Sequence, residues 1–189
     1  SDGSYCNYFI DNTLYLNDKE GMCLDAGSFG NYVSGNTIKQ NGGRRRQTLA
    51  DLENDFVQDF GTLSDGSSPA KLPGLSIDNS AYNIVMNNYI CDNYGSGVKM
   101  VRVGVRNIVS DNIIANNNRG QSETFHFFGI ELGYAAKPDY ETVMLDFAAC
   151  YENIICRNII TGEHYAGIFI AEECYINDFY DNVIMDAVF

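Results

Sequence analysis

Residues 106–120 read RNIVSDNIIANNNRG, five asparagines threaded through Ile, Val and Ala that otherwise have the composition of buried strand. Asparagine is depleted from strands, so its regular return inside an apolar run requires a structural reason. The reason is a period. Comparable segments are NYFIDNTLYLN from Asn7, NYVSGNTIKQN from Asn31, NIVMNNYICDN from Asn83, NIVSDNIIANN from Asn107, NIICRNIITGE from Asn153 and NDFYDNVIMDA from Asn177. A second Asn falls five residues on in every copy, at Asn12, Asn36, Asn88, Asn112, Asn158 and Asn182. Seven residues on stands Leu14, Ile38, Ile90, Ile114, Ile160 or Ile184.

A second motif, Gly-apolar-x-apolar, follows the first five copies: GMCL from Gly21, GLSI from Gly74, GVKM from Gly97, GIEL from Gly129 and GIFI from Gly167. Uninterrupted copies repeat every 24 residues, as from Asn7 to Asn31, Asn83 to Asn107 and Asn153 to Asn177. Two copies are longer, 52 and 46 residues, and carry insertions. Three short alternating strands per period fit one coil of a parallel β-helix and not a helical solenoid. Stacking coils about 4.8 Å apart buries the residues two, seven, fifteen and seventeen places after the first Asn. The asparagines then have two expected uses. They tolerate the left-handed conformation of a tight turn, and their amides can bond the same amide one coil above and below.

These motifs resemble the right-handed parallel β-helix repeats of the pectate-lyase-like superfamily, over roughly residues 5–189. The resemblance implies an all-β single domain of about six coils, with insertions near 42–72, 119–127 and 134–149. It does not single out an activity, because lyases, glycoside hydrolases, uronan epimerases, tailspikes and adhesins share the scaffold. No DPHD, no polygalacturonase set and no RxPxxR is present. The implied setting is extracellular or at the cell surface, with a polysaccharide or oligosaccharide as partner.

Composition narrows the partners further. A formal charge of −13 argues against binding a phosphate backbone, which rests on clustered Lys and Arg. The basic run Arg44-Arg45-Arg46 is only three residues long and reads as a solvated loop or an acidic-group clamp. No run of eighteen apolar residues suggests a membrane span. Six cysteines, at 6, 23, 91, 150, 156 and 174, include no CxxC and read mostly as small buried hydrophobes. The first residue is Ser, and neither end of the repeat array has an amphipathic cap, so the expectation is a fragment or processed chain, or a second subunit covering a coil end.

The insertions point to the chemistry. TLADLENDFVQDFG in the first has apolar residues near helical spacing and is expected to form a short helix. The decorated coils flank one short bare coil, GSGVKMVRVG, so a groove is expected over the third coil. Its floor should carry Asp78, Lys99, Arg102, His126 and Glu131 as candidate catalytic residues. Asp25, Asn79, Tyr94, Tyr134, His164 and Glu172 are candidate substrate contacts, with Tyr165 and Phe169 as further sugar-stacking rings. Both histidines stand three residues before a repeat glycine and are expected to share a column.

Three mechanisms can use such a set. Hydrolysis needs two carboxylates, from Asp25 and Asp78 or Asp78 and Glu131. Uronate lysis or epimerisation needs a base, Lys99 or His126, and a cation such as Arg102 to neutralise the sugar carboxylate. Recognition without chemistry needs only aromatic faces and charges that set register. Lyases of the superfamily often use calcium, for which Asp25 and Asp78 supply hard oxygen ligands, although two carboxylates leave the metal open.

Overall fold

The computed structural model describes residues 3–42, 72–119, 126–133 and 149–187. The chain winds as a right-handed parallel β-helix of three sheets. The first sheet stacks β1 (Tyr8–Ile10), β4 (Tyr32–Ser34), β7 (Ile84–Met86), β10 (Ile108–Ser110), β13 (Ile154–Cys156) and β16 (Asp178–Tyr180). The second stacks β2 (Thr13–Tyr15), β5 (Thr37–Lys39), β8 (Tyr89–Cys91), β11 (Ile113–Ala115), β14 (Ile159–Thr161) and β17 (Val183–Met185). The third is built from the glycine motifs: β3 (Met22–Leu24), β6 (Leu75–Asp78), β9 (Val98–Val101), β12 (Phe128–Leu132) and β15 (Ala166–Ile170). Every pairing is parallel and in register, so repeat-equivalent residues lie directly over one another.

Register turns the repeat into columns of core. Val33, Val85, Val109 and Ile155 fill one column and Ile38, Ile90, Ile114 and Ile160 a second, all essentially without solvent exposure. Ile77, Met100 and Leu132 continue the inner face of the third sheet, whereas Ile170 is exposed because no described strand follows β15 in that sheet. The repeat glycines are required by close approach. A methyl at Gly129 would lie 2.4 Å from Ile160 Cγ2 and 2.6 Å from the Gly167 carbonyl oxygen.

The asparagines form ladders, but the tight turns belong to their neighbours. Positive φ angles fall on the residue before each ladder Asn: Cys6, Asp11 and Leu16 in the first coil, then Tyr82, Asn87 and Asp92, then Arg106, Asp111 and Asn116. The left-handed role expected of the ladder asparagines is therefore corrected. The preceding residue turns the corner, and the Asn, with ordinary φ, secures it. Asn112 illustrates the full use of the amide. Its Oδ1 accepts from the Asn88 backbone N–H and Nδ2, both at 2.9 Å. Its own N–H and Nδ2 donate to Asn158 Oδ1 at 3.1 and 3.0 Å, and Nδ2 also reaches the Val85 carbonyl at 3.0 Å.

The segments expected as insertions fall largely outside the described residues, as do the basic run at 44–46 and the expected short helix. Their flanks are close at one point: Leu72 N–H donates to the Gly42 carbonyl at 2.8 Å, so the coil closes across the longest of them. Cys91, Cys150 and Cys156 are buried, but Cys6 and Cys23 are exposed.

The ladder sets a stability test. Replacing Asn112 by Leu strips partners from the Asn88 amides, the Val85 carbonyl and Asn158 Oδ1, at roughly 1–3 kcal/mol for each group left unsatisfied. Urea denaturation should show a loss of at least ~3 kcal/mol for Asn112→Leu, and a far smaller loss for Asn182→Leu in the last, solvent-accessible rung. Equal losses at the two positions would mean that the ladder does not secure the coils.

Candidate functional site

The outer face of the third sheet carries one residue per coil in a single row: Cys23, Ser76, Lys99, Glu131 and Phe169. Alternation explains the row, since Val98, Met100, Ile130 and Leu132 occupy the inward positions beside Lys99 and Glu131. Lys99 Nζ and Glu131 Oε1 pair at 2.8 Å across adjacent coils. Although its position faces outward, Glu131 is only 2% exposed, and Ser96 Oγ–H donates to its second oxygen at 2.6 Å. Ser96 Oγ in turn accepts the Phe128 N–H at 3.1 Å, so the carboxylate is held by a fixed network. Lys99 keeps about a quarter of its side chain in solvent, 23%.

A second charged group lies at the corner that ends the sheet, where Ala26, Asn79 and Arg102 all adopt positive φ. Arg102 reaches back one coil and grips Asp78 with two nitrogens, Nε donating to Oδ1 at 2.5 Å and Nη2 to Oδ2. Asp25, a coil further back, stands 3.8 Å from the same Nη2. Burial, with Glu20, Asp25 and Asp78 nearby, pushes the Cys23 thiol up to about 11, so it stays protonated near neutrality.

Aromatic rings extend the row on the other side. His126, exposed, stacks on Tyr165 with ring centroids 3.9 Å apart. Phe128 meets Tyr165 edge-on at 6.1 Å and stacks on Phe169 at 4.6 Å. Thus the structure brings together Lys99 with Glu131, Asp78 with Arg102 and Asp25, and His126 with Tyr165. Asn79 and Glu172 are exposed. Tyr94, at 8% exposure, is too buried to line a surface. Tyr134 lies outside the described residues. Ser96 and Phe128 are additional members of the site; both stand immediately before a repeat glycine, a position whose column the repeat would have identified. A separate cleft of about 490 Å³, lined by Gln40, Asp92, Asn116, Asn117, Asn118, Arg119 and Glu163, includes none of these charged residues.

The comparisons with known proteins agree with this architecture. A family model described as "Periplasmic copper-binding protein (NosD)" matches residues 2–126. The chain belongs to the NosD family. A search of curated proteins finds no match. Among solved structures, the A-module of the Azotobacter vinelandii mannuronan C-5 epimerase AlgE4 aligns with a TM-score of 0.63 at 16% identity, over 98% of this chain and 50% of that one. The enzymatically active domain of Bacteriophage CBA120 tailspike protein 2 aligns with a TM-score of 0.53 at 11% identity, over 93% of this chain and 22% of that one. This NosD-family chain therefore spans half or less of the length of these structures, and at such identities the likeness concerns the fold.

The two histidines of the NosD-family chain do not share a functional face. His164 is wholly buried and takes the fifth place in the third ladder, after Asn17, Asn41, Asn93 and Asn117. Its Nε2 accepts the Asn117 backbone N–H at 3.2 Å and lies 3.4 Å from Asn117 Nδ2. The expectation that His164 contacts substrate is corrected on this ground: the ring is a ladder element closed to solvent. Gly162, at φ 91, supplies the extra residue that lets an imidazole occupy the amide's place.

Burial lowers the His164 pKa to about 4 from its ordinary 6.5. A depressed folded-state value means that the neutral ring stabilises the fold above the unfolded value. That contribution drains away as pH falls from about 6.5 toward 4. The difference amounts to about 3 kcal/mol. Urea midpoints measured at pH 7, 5.5 and 4 should fall more steeply for the native chain than for His164→Asn, whose amide does not titrate. Parallel pH profiles would remove His164 from the linkage.

Proposed function

We propose that the chain acts on an acidic polysaccharide laid across β9 and β12, as a uronate lyase or epimerase. The carrying observation is the Lys99–Glu131 pair at 2.8 Å with its carboxylate 2% exposed. A carboxylate withdrawn this far from water costs several kcal/mol unless it is paired, so a charge serving only solubility has no reason to be there. Glu131 and Ser96 hold a partly exposed ammonium at one place on a rigid sheet.

The partners of each carboxylate favour uronate chemistry over hydrolysis. A glycosidase needs two carboxyl groups presented to the bond. Glu131 is committed to Lys99 and Ser96, and Asp78 to Arg102. The cations are the more exposed partners, Lys99 at 23% against 2% for Glu131 and Arg102 at 53% against 14% for Asp78, and are suited to neutralising a sugar carboxylate while charge develops at the adjacent carbon. His126 is the base in this arrangement, because Lys99 sits in an ion pair. Its imidazole takes the proton next to the carboxylate. Elimination then breaks the bond to the leaving oxygen, which takes up a proton from water, whereas delivery of a proton from water to the opposite face gives the epimer. The His126–Tyr165 stack also offers a ring face to a sugar.

Asp25 and Asp78 are weak calcium ligands in this geometry, since Asp78 is engaged by Arg102 and Asp25 lies beside the same guanidinium. Copper, which the family description names, takes imidazole, thiolate or thioether ligands. Among the described residues no three His, Cys, Asp or Glu side chains converge on a metal position, so no step is assigned to a metal. A periplasmic family description supports a place outside the cytoplasm. Among the described residues no helix is long and apolar enough to cross a membrane.

A panel of polyuronates and neutral glycans tests the reading, with ultraviolet absorbance for unsaturated ends, proton NMR for epimerised residues and a reducing-end assay. Turnover of a polyuronate is expected, falling by roughly 10²-fold or more in Lys99→Ala and His126→Ala. New reducing ends without unsaturation would indicate hydrolysis. Tight binding without any turnover would support the alternative, a noncatalytic glycan-binding, adhesin-like or tailspike-like β-helix, whose ion pairs only fix register.

A further inference from the structure

Three residues before the first Asn of each repeat runs a column of small residues: Ser4, Ser28, Ser80, Gly104, Cys150 and Cys174. Its last two members are cysteines on adjacent coils. The parallel bridge between Tyr151 and Tyr175, and the Tyr175 N–H donating to the Cys150 carbonyl at 3.2 Å, set Cys150 and Cys174 opposite each other. Both face the same interior, Cys150 within the apolar core and Cys174, half-buried, packed against it. In-register residues on neighbouring strands stand about 4.8 Å apart, inside the roughly 4.4–6.8 Å that a disulfide spans between Cα atoms.

Two glycines make room for the sulfurs. A methyl at Gly104 would lie 3.3 Å from Cys150 Sγ, and one at Gly133 would lie 3.2 Å from Cys174 Sγ. The Cys150 thiol donates to the Met100 carbonyl at 3.3 Å, and the closeness of the two thiols draws Cys174 down to about 7 and pushes Cys150 up. The more accessible sulfur is thus the one readily deprotonated.

We propose that Cys150 and Cys174 form an intramolecular disulfide linking two adjacent coils when the chain meets a small-molecule disulfide oxidant. The Cys174 thiolate attacks one sulfur of the oxidant, whose S–S bond breaks and releases one thiolate. The Cys150 sulfur then attacks Cys174 Sγ, expelling the second thiolate, which takes up the Cys150 proton. Two protein thiols are oxidised by two electrons, and one oxidant disulfide becomes two thiols. The bond joins Cys150 to the coil that carries Cys174, where Tyr175, Ile176, Tyr180, Val183, Ile184 and Met185 are all exposed. A covalent link would hold that coil in register.

The test incubates the wild-type chain with oxidised glutathione, alkylates free thiols and maps peptides without reduction. A cross-linked peptide pair containing Cys150 and Cys174 is expected, together with a urea midpoint that rises on oxidation and returns with dithiothreitol. Cys174→Ser should abolish the rise. Glutathione retained on Cys174 with Cys150 still alkylated, a bond drawn instead to Cys6 or Cys23, or both thiols free after oxidation would each overturn the proposal. The peptide map uses the native chain, so it decides the matter even if the variant folds poorly.

Discussion

The side-chain amide of asparagine, bonded along the stack and not across a strand, is the interaction on which the other features depend. Each interior rung accepts two N–H donors from the coil before and directs two to the coil after, so no buried lone pair or amide hydrogen is wasted. The arrangement has a direction and admits only one offset between coils. Left-handed corner residues such as Tyr82, Arg106 and Glu152 carry a backbone penalty of roughly 1–2 kcal/mol each. Those corners persist because the next residue is an Asn whose main-chain N–H is already claimed by the following coil.

Register fixed in this way also builds the site. Lys99 and Glu131 are 32 residues apart in sequence yet adjacent in the outer row, because both stand two places after a repeat glycine. Their pairing follows from the repeat. The Asp78–Arg102 contact does not follow so directly, since the two occupy different offsets. It needs the bend at Arg102 and Val103, both with positive φ, to turn the guanidinium back toward the preceding coil.

Much of the fold was therefore legible in the sequence, and less of the site. The asparagine period, the Val and Ile columns and the glycine strands are periodic signals repeated five or six times, so each copy corroborates the others. The depth of Glu131 is a different kind of fact. Alternation assigns it an outward position, but its 2% exposure depends on what surrounds that one rung. The ladder asparagines do not make the turns that their type suggests, although Asn is at home in left-handed corners generally. Here residues as unlike as Cys6, Leu16 and Glu152 make the turns, and their variety hides the corner from composition.

His164 shows what happens when a ladder meets a side chain with half of its capacity. An imidazole that accepts from Asn117 at Nε2 must carry its proton on Nδ1, and that nitrogen is buried with no hydrogen-bond partner. An amide in its place would accept twice and donate twice; the ring accepts at one atom and passes nothing to the next coil. Protonating Nε2 would also sever the rung, which together with burial explains why the ring resists its charge. Among the described residues the third ladder ends at His164, whereas the other two continue to Asn177 and Asn182.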